Sequence, residues 1–170
     1  CIVLMAIAPV HAIDPGVAKG TLQINGKQVA LTHAYAHLHD NAEGLLDFPK
    51  ELRIVLSDQE VPQESLRGIA FLPVTRLARE GKVQGILIRL DPADRHGMYV
   101  TLLHRPADPG MSLLTLSRSD SAAEVIRNFR LGGNRVSGVV DHADTNAEGP
   151  AEMTRMSYSA SFGAPLFQEP

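Results

Sequence analysis

The sequence predicts a mainly β protein, either an antiparallel β-sandwich or an open barrel of about eight to nine strands, with one helical insertion at about residues 63–81. Three observations favour this class. Apolar and polar residues alternate in short segments along most of the chain, turn-forming residues separate those segments, and a single segment has a helical period. With 44% hydrophobic and 21% charged residues in a chain of 170, the composition suits one packed domain.

The first predicted element is a β-hairpin. Alternating apolar residues in Thr21–Thr32 flank Asn25-Gly26, a dipeptide that accepts the positive φ angles of a tight turn. The second arm continues through His39, which is long for a strand. We therefore expect a bend or bulge near Ala34 or Ala36.

The segment from Pro62 to Lys82 is the predicted helical insertion, and a short predicted strand, Leu52–Ser57, precedes it. Apolar residues in the insertion recur with a period of about 3.6, and Gly81 stands where a C-terminal cap is expected. Pro73 lacks the N–H that a helix interior requires. We therefore expect two short helical pieces, the second of which starts near Pro73.

The chain after the insertion is predicted to be β throughout. Its last strand places Met156, Tyr158, Ala160 and Phe162 on one face and mostly serines on the other. Such alternation indicates one dry face and one wet face, which is typical of antiparallel sheets. The predicted strands are Val83–Leu90, Met98–His104, Met111–Leu116, Glu124–Leu131, Arg135–Asp141 and Met153–Phe162.

The start of the chain indicates export. Ile2–Val10 is a continuous apolar run with the length of a signal-peptide core, and Val10-His11-Ala12 resembles a signal-peptidase site. We interpret residues 1–12 as a signal-peptide remnant, residues 20–166 as a single β-rich domain, and the protein as periplasmic or secreted. Two alternatives remain: a first core strand at residues 1–12, or lipidation of Cys1, the only cysteine. No stretch has the roughly 20 apolar residues that a transmembrane helix needs.

Five short motifs carry a family resemblance. They are an Asn-Gly-Lys hairpin (Gly20–Lys27), a His-Ala-Tyr-Ala strand (His33–Ala36), a strand that ends in Ser-Asp (Leu52–Asp58), a helix end (Ala78–Lys82) and a Tyr-x-Ala-x-Phe strand (Tyr158–Phe162). Their order resembles a family of uncharacterised secreted bacterial β-rich proteins. The resemblance covers nearly the whole chain after the predicted signal peptide. It implies export and a common architecture, but no known activity, so no residue takes a role from it.

Charge and motifs exclude some function classes. The net charge of −3 and the absence of a lysine-rich run argue against nucleic-acid binding. A hydrolase could draw on Ser57, Ser117 or Ser137 together with His104 and Asp58, but no Gly-x-Ser-x-Gly motif marks a nucleophile. The sequence therefore leaves enzymatic activity undecided and names no catalytic residue.

The strand from His33 to Asp40 carries the sharpest candidate site. His33, His37 and His39 are spaced by even numbers of residues, so they share one face of a strand, and neutral imidazoles bind Zn²⁺ or Cu²⁺. His33 and His37 would lie about 13 Å apart on an ideal strand. One ion would therefore bind neighbours such as His37 and His39, with a further ligand from Asp40 or another strand, or from His33 if a bulge intervenes.

Each candidate site also has a structural interpretation. Val29, Leu31, His33 and Tyr35 could line one partly buried face whose polar atoms hydrogen-bond locally. The acidic segment Asp141–Glu152 offers oxygen ligands of the kind that Ca²⁺ takes, but it lacks EF-hand spacing, and we interpret it as a solvated hairpin loop.

The leading hypothesis is a secreted or periplasmic, non-enzymatic β domain that binds a partner protein, an envelope component or a small ligand, without a cofactor. It depends on the export signal, the two-faced strands and the lack of a catalytic motif. The alternative is a Zn²⁺- or Cu²⁺-binding protein, or a metal-dependent enzyme, that uses the His33–Asp40 strand.

Overall fold

The computed structural model describes residues 16–40, 49–67, 72–93, 98–108, 112–118, 126–143 and 154–168. Within these residues, nine strands form one sheet. The strands are β1 (Gly16–Ile24), β2 (Lys27–Asp40), β3 (Lys50–Ser57), β4 (Gly85–Leu90), β5 (Met98–Leu103), β6 (Thr115–Arg118), β7 (Ile126–Gly132), β8 (Arg135–His142) and β9 (Met156–Gln168). The described helical elements are a 3₁₀ turn (Gln63–Leu66) and the helix α1 (Leu72–Arg79), and neither is long and apolar enough to cross a membrane.

The strand order is β6-β5-β4-β3-β2-β1-β9-β8-β7, and each strand is antiparallel to its neighbours in this order. Most neighbours are consecutive in the chain and are joined as hairpins. Asn25 and Gly26 have φ angles of +49° and +80° in the β1–β2 turn, as a type I′ turn requires. The predicted mainly β class, with antiparallel strands and one helical insertion, is confirmed.

The sheet curls into a half-barrel, and chain connectivity requires it to curl. The two edge strands, β6 and β7, follow each other in the chain, from Arg118 to Ile126. Eight residues of extended chain span at most about 29 Å. A flat sheet of nine strands would separate its edges by about 38 Å at the usual strand spacing. The edges can therefore be connected only if the sheet bends.

Bending creates an inner core between the two halves of the sheet. Apolar side chains from both ends of the strand order belong to one buried cluster, for example Ile88 on β4, Val100 on β5 and Val140 on β8. On β9, the residues predicted to be dry are buried in this inner core, and the serines between them are not. The face of the sheet that carries this core is called the inner face below.

The helical insertion packs on the outer face. Apolar residues of α1 and the 3₁₀ turn, such as Val74 and Leu66, are buried against Tyr35 of β2 and Leu87 of β4. Gly81, with a φ angle of +72°, directly follows the helix and its short turn. Two short helical pieces therefore form as predicted, and they cover only the β2–β5 half of the outer face.

Strand β2 changes the face that it buries. Val29 and Leu31 pack against the inner core, whereas Tyr35 lies in the outer cluster. The β1–β2 register shifts where His33 and Leu31 pair with β1, slightly before the position predicted for a bulge. The interpretation that Val29, Leu31, His33 and Tyr35 line one face is therefore wrong, because the irregularity reverses the alternation.

Two predicted strand boundaries also differ. β6 covers Thr115–Arg118, later than the predicted Met111–Leu116, and β9 continues past Phe162 to Gln168. The extra residues of β9 run beyond the first residue of β1 and pair in parallel with Ala36–Leu38 of β2. The predicted signal peptide lies outside the described residues and stays a prediction.

Candidate functional site

The histidines of β2 occupy the outer face of the sheet, but they do not form one group. His37 and His39 are buried, and their ring centroids lie 6.2 Å apart. His33 is paired with Ser57 of β3, and its Nδ1 atom lies 2.8 Å from the hydroxyl of Thr32. Asp40 is exposed, and alternation places it on the other face from His39.

Cross-strand pairing joins His37 and His39 to three charged residues. His39 pairs with Glu51, and Arg53 of β3 pairs with both His37 and Arg89 of β4. The Glu51 carboxylate accepts hydrogen bonds from Arg53 Nε at 3.1 Å and from Arg89 Nε at 2.5 Å. These five residues, His37, His39, Glu51, Arg53 and Arg89, are called the charged cluster.

The charged cluster is almost entirely removed from solvent. Glu51, His37 and Arg53 are 0%, 1% and 2% exposed, and only the Arg89 side chain reaches 21%. Burial of ionised groups costs several kcal/mol for each ion unless other charges and hydrogen bonds compensate. The two guanidinium groups around Glu51 provide that compensation on the sheet.

Aromatic rings and the helical insertion complete the surroundings of the cluster. Phe167 stacks on His37 at 5.5 Å between ring centroids, and the Arg67 guanidinium lies 4.9 Å from the Phe167 ring. Arg53 Nη1 donates to the carbonyl of Leu66 at 3.5 Å. The cluster therefore connects the 3₁₀ turn to the sheet, which is a structural role.

The cluster offers few free ligands to a metal ion. Both oxygens of Glu51 accept from guanidinium groups, and the positive charges of Arg53 and Arg89 oppose a divalent cation. Across the part of the chain that the structure describes, no three His, Cys, Asp or Glu side chains are grouped to hold a metal. Metal binding by His37 and His39 with His33 or Asp40 stays a prediction from the sequence.

Sequence reasoning missed Glu51, Arg53 and Arg89. A signal was present, since Glu51 and Arg53 alternate with Leu52 and Ile54, and charges at alternate positions of an apolar strand indicate a polar face. The partner Arg89 could not be found this way. It meets Glu51 only through the register of β3 with β4.

A second candidate site lies on the outer face of β1, β8 and β9, the half that the helical insertion leaves uncovered. A cleft of about 370 Å³ opens there. Five polar side chains line it: Thr21, Gln23, Asp141, Ser157 and Ser159. His142 and Tyr158 are also at its border, but alternation places their rings, whose centroids lie 5.4 Å apart, on the inner face, where Tyr158 is buried in the core. We call this site the outer cleft.

Asp141 is the charged group of the outer cleft. Its carboxylate accepts a hydrogen bond from the Ser159 hydroxyl at 2.8 Å and forms an ion pair with Arg127 of β7. The Ser159 hydrogen bond and the neighbouring Arg127 hold the pKa of Asp141 below its usual value. The carboxylate is therefore ionised at neutral pH, and its geometry is fixed by both neighbours.

Part of the acidic segment differs from its prediction. Asp141 and His142 belong to β8 and are not in a solvated hairpin loop. The predicted strand Arg135–Asp141 already contained Asp141, and β8 extends it by one residue to His142. The rest of the Asp141–Glu152 segment beyond Ala143 lies outside the described residues.

Two of the residues considered for a hydrolase, Ser57 and Asp58, have structural partners. Ser57 is buried and donates to the carbonyl of Gln59 at 2.8 Å. The Asp58 carboxylate accepts from the backbone N–H of Gln84 at 2.7 Å, which connects the end of β3 to the start of β4. These contacts secure the two ends of the helical insertion.

Comparison with known proteins adds no assignment: no protein-family model, curated protein or solved structure matches this chain. Function must therefore be argued from the charged cluster and the outer cleft themselves. The first is buried and holds the fold together, whereas the second is open to solvent.

Proposed function

We propose that this protein is a periplasmic or secreted, non-enzymatic β domain that binds a small ligand, or an exposed group of an envelope component, in the outer cleft. One observation carries the proposal: side chains from three different strands converge on a cleft of about 370 Å³. That volume falls within the range of about 300–1,000 Å³ that is usual for ligand sites.

The position of the cleft supports a binding role over a structural one. Gln23 and Ser159 are exposed, and Thr21 and Ser157 are only partly buried, so the fold does not need them for its core. The inner core lies on the other face of the same strands, through Leu22, for example. A rigid, well-packed sheet thus presents polar groups that packing has not already used.

Binding can be tested by titrating the ¹⁵N-labelled protein with four probes: cellobiose, inorganic phosphate, spermidine and the dipeptide alanyl-alanine. We expect at least one probe to cause saturable shift changes that centre on the amides of residues 21–23, 141–143 and 157–159. Saturable changes confined to another surface, or none with any probe, would contradict the proposal.

Export is tested separately. The full-length gene product, fractionated from its native cell, should be recovered from the periplasm or the medium. N-terminal sequencing should begin at Ile13, directly after the predicted cleavage site. Recovery in the cytoplasm with residues 1–12 intact would remove the export part of the proposal and leave the binding part standing.

Metal binding is the second candidate function. The observation that favours it is the pair of buried imidazoles, His37 and His39, on one face of β2. Protein purified without chelators should then carry about one equivalent of Zn²⁺ or Cu²⁺, and the His37→Ala/His39→Ala double variant should lose it. His142→Ala, a histidine of β8 that is not among the candidate ligands, is the control and should keep the metal. Wild-type protein with far less than one equivalent after dialysis against Zn²⁺ would exclude this function.

A further inference from the structure

We infer that the ligand class of the outer cleft is a neutral saccharide. This inference rests on the proposed binding function of the cleft and specifies its ligand. It depends on the arrangement of the hydrogen-bonding groups, their polarity and their net charge.

The polar groups form two rows across the strands. Thr21 of β1 pairs with Ser159 of β9, which in turn pairs with Asp141 of β8. Two residues further along, Gln23 pairs with Ser157. Neighbouring strands are about 4.8 Å apart, and alternate residues on a strand about 6.6 Å apart. Such a grid fits a rigid ring that carries hydrogen-bonding groups around its rim.

The pattern of hydrogen-bond donors and acceptors in the cleft matches the hydroxyl groups of a ligand. Ser159 donates its proton to Asp141, so the Ser159 oxygen and the remaining lone pairs of the carboxylate are acceptors. Thr21 and Ser157 carry hydroxyls, and Gln23 an amide, which both donate and accept. A complementary ligand must donate hydrogen bonds near Asp141 and Ser159. Near Thr21, Ser157 and Gln23 it can both donate and accept them. A hydroxyl group meets either demand, because it donates one proton and accepts through two lone pairs.

The charge balance favours a neutral ligand. Asp141 would repel an anion, and the Arg127 guanidinium in its ion pair reduces the attraction for a cation. A neutral saccharide therefore satisfies both the charge balance and the hydrogen-bonding pattern of the cleft.

The experiment compares cellobiose and N,N′-diacetylchitobiose with phosphate, spermidine and alanyl-alanine, using the same amide shifts. Three variants are titrated in parallel: Ser159→Ala, Asp141→Asn and the control Ser161→Ala. Ser161 is the next exposed serine on the same face of β9, but it does not line the cleft. We expect a disaccharide to bind in the cleft, the first two variants to weaken it about tenfold or more, and the control to change it less than about twofold.

Three results would overturn the inference, and they separate it from the proposed function. If phosphate, spermidine or the dipeptide saturates the cleft while both disaccharides are silent, the ligand class is wrong and the binding function stands. If no probe binds there, both fail. If Ser161→Ala weakens a disaccharide as much as Ser159→Ala does, the sugar does not contact the cleft and the assignment fails.

Discussion

Glu51 is a buried carboxylate on which two guanidinium groups depend. Glu51 accepts from Arg53 and from Arg89, and its side chain is fully buried, so no water can replace it. We predict that Glu51→Gln lowers the free energy of unfolding by about 3–5 kcal/mol, because it leaves two guanidinium groups without their counter-charge. Urea unfolding followed by circular dichroism measures the change.

The matched control is Glu80→Gln. Glu80 also pairs with a cation, Lys82 at 2.7 Å, but the two side chains are 43% and 65% exposed. Solvent and salt screen such a pair, so this variant should unfold at nearly the wild-type urea concentration. Equal losses for Glu51→Gln and Glu80→Gln would show that the charged cluster does not stabilise the fold.

The hydroxyl of Tyr35 has a defined partner directly before the helical insertion. It accepts from the backbone N–H of Val61 at 2.9 Å. Tyr35→Phe leaves that N–H buried without an acceptor, so we predict a loss of about 1–3 kcal/mol in urea unfolding. Ser161→Ala is the control, because its exposed hydroxyl donates to the Lys19 carbonyl only at 3.5 Å, where water can replace it. A loss for Ser161→Ala as large as that for Tyr35→Phe would contradict the assigned role.

His104 should make the stability depend on pH. Burial lowers the pKa of His104, and a hydrogen bond with the Leu102 backbone only partly opposes this. Above about pH 6.5 the ring is neutral in both the folded and the unfolded chain. Below it, the unfolded chain binds a proton that the folded chain resists, so stability falls as the pH falls until the folded pKa is reached.

The variant His104→Gln should lose this part of the pH dependence. We predict that wild type loses more stability than the variant between pH 7.5 and pH 5.5, measured by urea unfolding at each pH. The comparison uses the slopes against pH, so a constant packing defect of the variant cancels. Identical slopes would contradict a lowered pKa for His104.

At the scale of elements, β1 depends on glycines that let β9 approach closely. A Cβ atom on Gly20 would lie 2.2 Å from the backbone oxygen of Ser159, and one on Gly16 would lie 2.4 Å from that of Gly163. Backbone atoms cannot rotate away as a side chain does. The absence of a side chain at these two positions therefore permits the close approach of β1 and β9.

We predict that Gly20→Ala lowers the free energy of unfolding by about 1–3 kcal/mol, the usual cost of overpacking. The control, Gly132→Ala at the end of β7, adds a Cβ that meets no atom within 4 Å. It should be neutral or slightly stabilising, because alanine restricts the unfolded chain more than glycine does. If both variants unfold alike, the close approach at Gly20 does not matter.

The elements that were predicted well are the ones fixed by local sequence. Asn25-Gly26 favours its turn whatever surrounds it, and the alternation from Met156 to Phe162 settles which side of β9 is dry. β6 was misplaced because its position is set by pairing with β5, in which Val100 lies opposite Leu116. The register of β6 with β5 depends on residues that are distant in the sequence, so no local pattern specifies it.

The candidate sites were harder to predict for the same reason. Two of the five residues of the charged cluster, His37 and His39, were identified from spacing alone, but Arg89 reaches Glu51 across 38 residues of sequence. The outer cleft joins Thr21 to Ser159, from opposite ends of the described chain. A site whose residues are brought together by strand register can be identified only when the strand pairing is known.

At the scale of the whole molecule, one strand holds the curled sheet together. β9 pairs with β8 on one side and with β1 on the other, and past the first residue of β1 it pairs directly with β2. The same final residues carry Phe167, which stacks on His37 of the charged cluster. The end of β9 thus connects the two halves of the half-barrel. It also forms one border of the charged cluster.

A chain that ends at Pro165 should therefore loosen the centre of the sheet without unfolding its edges. Leu166 and Phe167 are partly buried, and their loss together with the β2–β9 pairing should cost about 2–3 kcal/mol in urea unfolding. Hydrogen exchange should become faster at those amides of Ala36–Leu38 that face β9, whereas the β4–β5 amides keep their relative protection. A chain that ends at Gln168 is the control and should match wild type. If the shorter truncation also leaves the exchange of Ala36–Leu38 unchanged, β9 does not hold the two halves together, and the curl depends on the inner core alone.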